Sequence, residues 1–400
     1  LESRKIQSDR VAKDYLQSFQ KIAENIEDAH IIDDWYEIMD DLTDWSVKFD
    51  NLGDQGLGQL LDEQWKEANH QFTKFIEAHY ENWLHSENKP LMSPEIIPTH
   101  IQEKLQNDEK IVLIIIDCLR ADQLKAMTSL LAQIFHIDTK YYLSILPTAT
   151  PYSRNAIFSG YYPNELQNEY GELWQKMWQD EHSMNRFENQ FLRDQLNRLG
   201  LESKSIHYHK VITYEEGNKL ETRIGEFKEV DLLAIVINFV DILGHSRSES
   251  NILQEMVPDE SAYRKAVCSW LENAWLLNVL EEISNWGHTV FLTSDHGSTR
   301  VTKPVQIKGD RQTSTGIRFK YGQNIKMPEK SGITIPNPEK YFLPKHDLNT
   351  NYLIAKSGNF LIYPNEYHKF ANHYNNSFQH GGISLEEMVV PIAELKGKNG

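Results

Sequence analysis

Several stretches of this 400-residue sequence run through apolar residues into a side chain that can bind a cation or move a proton. IVLIII leads to Asp117, LLAIVINFV reads as a strand that ends at Asp241 and reaches His245, and TVFLTS leads to Asp295-His296. LPTATPYSR adds hydroxyls at Thr148 and Thr150, and HGGISLEEMVVP adds His380. Three aspartates, three histidines and a hydroxyl are enough donors for two divalent cations. Mixed carboxylate oxygen and imidazole nitrogen suits zinc well and manganese less well, while calcium and magnesium do not favour so many imidazoles. Taken singly, each piece has a plainer reading: a helix cap at Asp117, solvated turns at Asp241/His245 and Asp295-His296-Gly297, and at His380 one surface histidine among 16. Jointly these plain readings fail, because chance would have to place acid or imidazole at the same end of successive buried strands. His207 and His209 alternate at strand period without a nearby carboxylate and read as a half-exposed strand face.

Such donors need a scaffold that gathers strand ends. The runs at 111–117, 141–146, 232–240 and 289–295 alternate with helical patterns such as AYRKAVCSWLENAWLLNVLEEISNW. That alternation predicts an α/β fold with a mostly parallel sheet covered by helices on both faces, whose ligand crevice lies beyond the carboxyl ends of the strands. From about Arg300 to Phe378 the pattern dissolves into Gly, Pro, Asn and Lys, which reads as a cap or insertion. Ser384 and Glu387 have capping-box spacing, and MVVPI reads as an edge strand that tolerates Pro391.

Residues 1–85 carry three amphipathic stripes, among them Trp35, Ile38, Met39, Leu42 and Trp45, and predict a three-helix bundle serving as a connector or dimer surface. The proline-marked residues 86–107 read as a linker, leaving 108–400 as the catalytic domain. A formal charge of −17 excludes a nonspecific grip on duplex DNA. Cys118 and Cys268 lie far apart without CxxC spacing, which argues against a disulfide scaffold and suits a reducing, cytoplasmic compartment. No apolar run approaches the roughly 18 residues of a membrane span, and no secretory leader opens the chain. It starts at Leu1 rather than methionine, which points to a fragment.

The ordered series IIID117, PTAT150PYSR, D241ILGH245, SD295H296G and H380GGISLEEMVVP resembles the PglZ domain of the alkaline phosphatase superfamily over residues 108 to 400. The leading bundle is similar to the segment between receiver and effector in PorX-type response regulators of the type IX secretion system. The resemblance implies one cation on Asp241, His245 and His380, a second on Asp117, Asp295 and His296, and Thr150 as the nucleophile touching the second, with Thr148 as the fallback. It implies two zinc ions per chain. The expected activity is phosphodiester hydrolysis on nucleotide-type substrates such as small cyclic or linear oligonucleotides. A phosphomonoesterase, a phosphomutase and a zinc-organised regulatory module are the alternatives. A homodimer, an absent receiver domain and type IX secretion regulators are the implied partners. Arg154 and Asn155, just after the nucleophile, are expected to hold phosphate oxygens. Arg300 and Lys303, with Lys308 and Arg311, form a basic cluster expected to steer substrate inward.

Overall fold

The computed structural model describes residues 2–50, 55–179, 184–309, 316–365 and 367–399. The chain opens with helices α1 (Glu2–Asp28), α2 (Ile32–Asp50) and α3 (Gln55–Leu84). Their apolar stripes meet: Tyr15 and Ile22 of α1, Trp35 and Leu42 of α2, and Phe72 and Ile76 of α3 are all buried, with Trp35 edge-on to Phe72 at 5.3 Å. This core does not end at the bundle. The same apolar cluster continues through Leu143, Ile145, Tyr152 and Leu385. Residues 86–107 correspondingly do not form an open linker. Short helices Ile96–His100 and Gln102–Gln106 bury Ile96, Ile97, Ile101 and Leu105 against the sheet, because their apolar side chains outweigh the proline punctuation.

The sheet strands are β1 (Ile111–Ile116), β2 (Phe135–Leu143), β3 (Ile206–Val211), β4 (Leu232–Ile237) and β5 (Thr289–Thr293). An insertion follows that is more ordered than its composition suggests. It comprises β6 (Thr299–Val301), β7 (Lys303–Gln306), β8 (Phe319–Gln323), β9 (Gly332–Ile335), β10 (Thr350–Ala355), β11 (Asn359–Ile362), the helix Tyr367–Tyr374 and β12 (Ser377–Gln379). Strands this short hide among polar turns. β13 (Val389–Gly397) closes the described chain, and the main sheet has the order β2-β13-β5-β1-β4-β3. β1 runs parallel to β4 and β5, and β3 parallel to β4, so IVLIII is covered on both faces and wholly buried.

Two expectations are corrected here. β13 is not an edge strand: it lies antiparallel between β2 and β5. Pro391 is tolerated because it opposes Tyr141 of β2 while pairing to β5 begins only at Ile392. Nor does the 232–240 run remain strand. β4 stops at Ile237, and Asp241 and His245 stand on the helix Phe239–Glu249, where Phe239 and Val240 continue the apolar run without continuing the strand.

Candidate metal centre

The register of β1 sets Ile116 opposite Ile237, and Ile115 opposite Thr293. The residues that follow, Asp117, Asn238 and Ser294-Asp295, therefore leave the sheet side by side. After Asp117 the chain turns through Cys118 at φ 66, a left-handed conformation unusual outside glycine. The Cys118 N–H donates to Asp295 Oδ1 at 3.2 Å, and the Leu119 N–H to Ser294 Oγ at 2.9 Å. Asp295 Oδ1 also accepts the His296 N–H, whereas its Oδ2 is buried with no hydrogen-bond partner. With no donor among the described residues closer than the Arg154 guanidinium and the His296 ring, at 3.8 and 3.7 Å, this buried carboxylate oxygen is suited to ligate a cation.

Two groups of donors result, each with its ligand atoms within 4.8 Å of one another: Asp241, His245 and His380, and Asp117, Asp295 and His296. In the first, Asp241 Oδ1 is 3.3 Å from His245 Nε2 and 3.4 Å from His380 Nε2. In the second, His296 Nε2 is 3.7 Å from Asp117 Oδ1 and from Asp295 Oδ2. His296 Nδ1 donates to the Gly297 carbonyl at 2.9 Å, which leaves Nε2 a lone pair directed at the carboxylates. His380 Nδ1 lies 3.2 Å from the Thr148 carbonyl and is oriented in the same manner. Thr150, the first residue of the helix Thr150–Ser159, places Oγ1 3.1 Å from His296 Nε2 and 3.3 Å from Asp117 Oδ1. All seven metal and nucleophile positions proposed from the sequence thus face one another. Thr148 does not face the donors. Its hydroxyl donates to the Gly382 carbonyl at 2.7 Å and accepts the Gly381 N–H at 3.1 Å, bracing the turn that carries His380.

The protonation pattern reflects this crowding. Burial pushes the Asp117 carboxyl up, against the pull of Arg154, and Asp241 adds to the rise. Burial and Asp117 do the same at Asp295. Burial also opposes ionisation of Asp241, yet hydrogen bonds and charge from His245 and His380 hold its carboxyl well below the usual range. Burial drives His296 down to about 4. His380, although buried, is held up at about 9 by its hydrogen bond to Asp241 and by that carboxylate's charge. Three clustered carboxylates among neutralisable imidazoles form a donor set that fits two dications of the zinc type.

The expected substrate contacts are placed differently. Arg154 is 1 % exposed, and its guanidinium is spent on carboxylates: Nη1 to Asp117 Oδ2 at 2.6 Å, Nε to Glu188 Oε1 at 2.5 Å, and Asp295 Oδ2 at 3.8 Å. It is engaged by the ligand carboxylates and Glu188, the arrangement of a brace. Asn155 is likewise buried, its amide donating to the Pro151 and Met184 carbonyls. Arg300 pairs with Glu260 at 3.1 Å, and Lys303 is exposed on β7 beside β11. Neither lines the cavity at the metal centre. Arg311 lies outside the described residues. Asn238 was missed: at the end of β4, it donates from Nδ2 to Asp117 Oδ2 at 3.3 Å. The rule that picked out Asp117, a polar residue closing a buried strand, applies to it equally. Glu188 and the aromatic residues beside the centre carried no local signal.

A cavity of about 350 Å³ opens onto His245 and His380 and is walled by Tyr152, Trp178, Phe319, Tyr321 and Tyr374. Among the described residues, no lysine or arginine lines it.

A parallel-rich α/β sheet with paired acid and imidazole clusters at its carboxyl edge has the architecture of alkaline-phosphatase-like phosphoesterases. Residues 96–395 match the family described as the BREX system PglZ alkaline phosphatase-like domain, and the chain belongs to that family. Residues 5–84 match the PorX response regulator linker domain. Similar solved structures include phosphonoacetate hydrolase from Sinorhizobium meliloti in complex with phosphonoformate, at 10% identity and TM-score 0.45, covering 72% of this chain and 90% of that one. Human ectonucleotide pyrophosphatase/phosphodiesterase 5 aligns at 12% identity and TM-score 0.40, covering 72% and 88% respectively. No curated protein matches the sequence. No helix among the described residues is long and apolar enough to cross a membrane.

Proposed function

We propose that this chain is a two-zinc phosphodiesterase acting on nucleotide-type diesters, small cyclic or linear oligonucleotides among them, and forms the effector part of a response regulator. The observation that carries the reading is the Thr150 hydroxyl within 3.3 Å of both His296 Nε2 and Asp117 Oδ1, inside one of two adjacent cation-ready groups. Bound dications lower the pKa of a neighbouring hydroxyl and neutralise phosphate charge. Thr150 Oγ1 attacks phosphorus, its proton passing to solvent. The P–O bond to the leaving nucleoside breaks as the bond to Oγ1 forms, and the departing oxygen is protonated. Water then cleaves the phosphothreonine bond and restores the hydroxyl.

The aromatic walls of the cavity favour a base-bearing substrate, since stacking on aromatic rings is tolerant of base identity and contributes about 1–3 kcal/mol per base. A zinc-organised regulatory module fits less well, because a structural zinc closes its coordination without presenting a hydroxyl. Metal analysis joined to an aryl phosphodiester assay tests the proposal. About two zinc ions per chain with diester turnover supports it; turnover confined to monoesters, or none after zinc addition, overturns it.

A further inference from the structure

The turn between His380 and β13 touches both donor groups. The Glu387 carbonyl accepts the N–H of Gly297, the residue after His296, at 3.0 Å. Its side-chain Oε1 accepts the N–H of Gly382, two residues past His380, at 2.9 Å. One residue therefore spans the interval between the two groups. Arg318 holds its carboxylate in a buried, two-pronged pair, with Nε at 3.0 Å from Oε1 and Nη2 at 2.6 Å from Oε2.

What fixes this turn from outside is the bundle. Asn69 of α3, 7 % exposed, accepts the Leu385 N–H at Oδ1 and donates from Nδ2 to Glu386 Oε2, both at 2.8 Å. Eleven residues further along the same helix, about three turns, the buried Tyr80 accepts the Leu146 N–H at its hydroxyl at 2.8 Å, on the segment that runs into Thr148 and Thr150. Neither side chain has a helical reason to be polar: both sit on the buried stripe, where leucine and phenylalanine would pack at no desolvation cost.

We infer that Asn69 and Tyr80 are positioning residues for the cation pair: α3 holds the nucleophile segment and the His380–Glu387 turn at a set spacing. The inference rests on the two-cation reading above. Outer partners of ligand residues commonly shift metal affinity by about 10–100-fold, so the effect sought is about tenfold.

Cobalt(II) binding, followed by its visible absorption in the purified chain, supplies a readout independent of turnover. In Asn69→Asp the amide donor becomes a carboxylate facing Glu386, and cobalt affinity falls by about tenfold. Asn69→Asp combined with Glu386→Gln restores donor to acceptor and brings affinity back. Tyr80→Phe keeps the ring and removes only the acceptor. It weakens cobalt binding and lowers kcat with KM unchanged. Folded variants that bind cobalt as the wild type does, with only a lowered Tm, overturn the inference, as does an Asn69→Asp loss that Glu386→Gln does not restore. Should Asn69→Asp not fold, Tyr80→Phe decides alone. Wild type that binds two cobalt ions yet hydrolyses no diester refutes the proposed activity and leaves this test standing. Wild type that binds none overturns both.

Discussion

The imidazole rings of His296 and His380 stack with centroids 4.2 Å apart and planes 21° from parallel, although each belongs to a different group of donors. Two imidazolium ions cannot share that spacing, and the pair resolves the conflict by dividing its affinities. His296 is pressed down to about 4 by burial, whereas His380 stays protonated up to about 9 through Asp241. Near neutrality the metal-free pair thus carries one proton beyond its neutral form, on His380. The stack also makes the two donor groups contiguous, with Thr150 against Asp117 and His296 of one of them.

That proton predicts how cation loading depends on pH. His380 must be neutral to ligate, so affinity rises as pH climbs from 6.5 toward 9, with net proton release on binding. For the metal-free fold the sign is opposite. A histidine raised from 6.5 to about 9 contributes stability that is fully present below 6.5 and lost as pH passes through 9. Zinc titrations in two buffers of different ionisation enthalpy, at pH 6.5 and 8.5, measure the released protons. His380→Asn should flatten the dependence; an unchanged slope in that variant would refute the assignment.

Thr150→Ala and Thr148→Ala separate nucleophile from brace. Removing the Thr150 hydroxyl should lower diester turnover by about a thousandfold or more while two cations still bind, because all six carboxylate and imidazole donors remain. Removing the Thr148 hydroxyl strands the Gly381 N–H, and should lower stability by about 1–3 kcal/mol with a turnover loss far smaller than that of Thr150→Ala. Comparable turnover losses in the two variants would leave the choice of Thr150 without support.

Some of this is legible in the sequence. IVLIII announced a strand covered on both faces, because only that environment accepts six consecutive aliphatic residues with no polar alternation. The donor residues showed themselves by their place at the ends of such runs. Other features depend on partners remote in the chain. An apolar run cannot report where strand gives way to helix, so Asp241 seemed to close a strand, although its spacing to His245 already matched one helical turn. Pro391 suggested an edge because sequence does not reveal that β5 pairs only from Ile392 onward. Arg154 resembled an anion ligand by proximity to Thr150. Only the fold shows Glu188 arriving from a separate helix to claim it.

Gly297 offers a steric test of the joint between the two groups. A methyl group there would lie 1.7 Å from the Glu386 carbonyl oxygen, and that backbone is held by Asn69 and Glu387. Gly297→Ala should therefore displace His296, the preceding residue, with a stability loss of about 1–3 kcal/mol and a larger loss of cation affinity. Thermal melts with and without zinc measure both. A variant with wild-type zinc stabilisation would show that the turn yields freely.

Arg154→Met asks what the buried guanidinium does. Its removal leaves Asp117, Glu188 and Asp295 as neighbouring buried carboxylates without their common counter-charge. Breaking a buried pair on one side typically costs about 3–5 kcal/mol, so the metal-free variant should melt well below wild type. Zinc bound at Asp117 and Asp295 would supply positive charge to two of the three carboxylates, so the Tm deficit should narrow at saturating zinc. Adding Glu188→Gln should narrow it further, since Glu188 is the one carboxylate outside the donor groups. An arginine acting as a phosphate clamp would behave differently: Arg154→Met would keep its Tm and raise KM. Melting curves of both variants with and without zinc, set beside KM for an aryl diester, decide between brace and clamp.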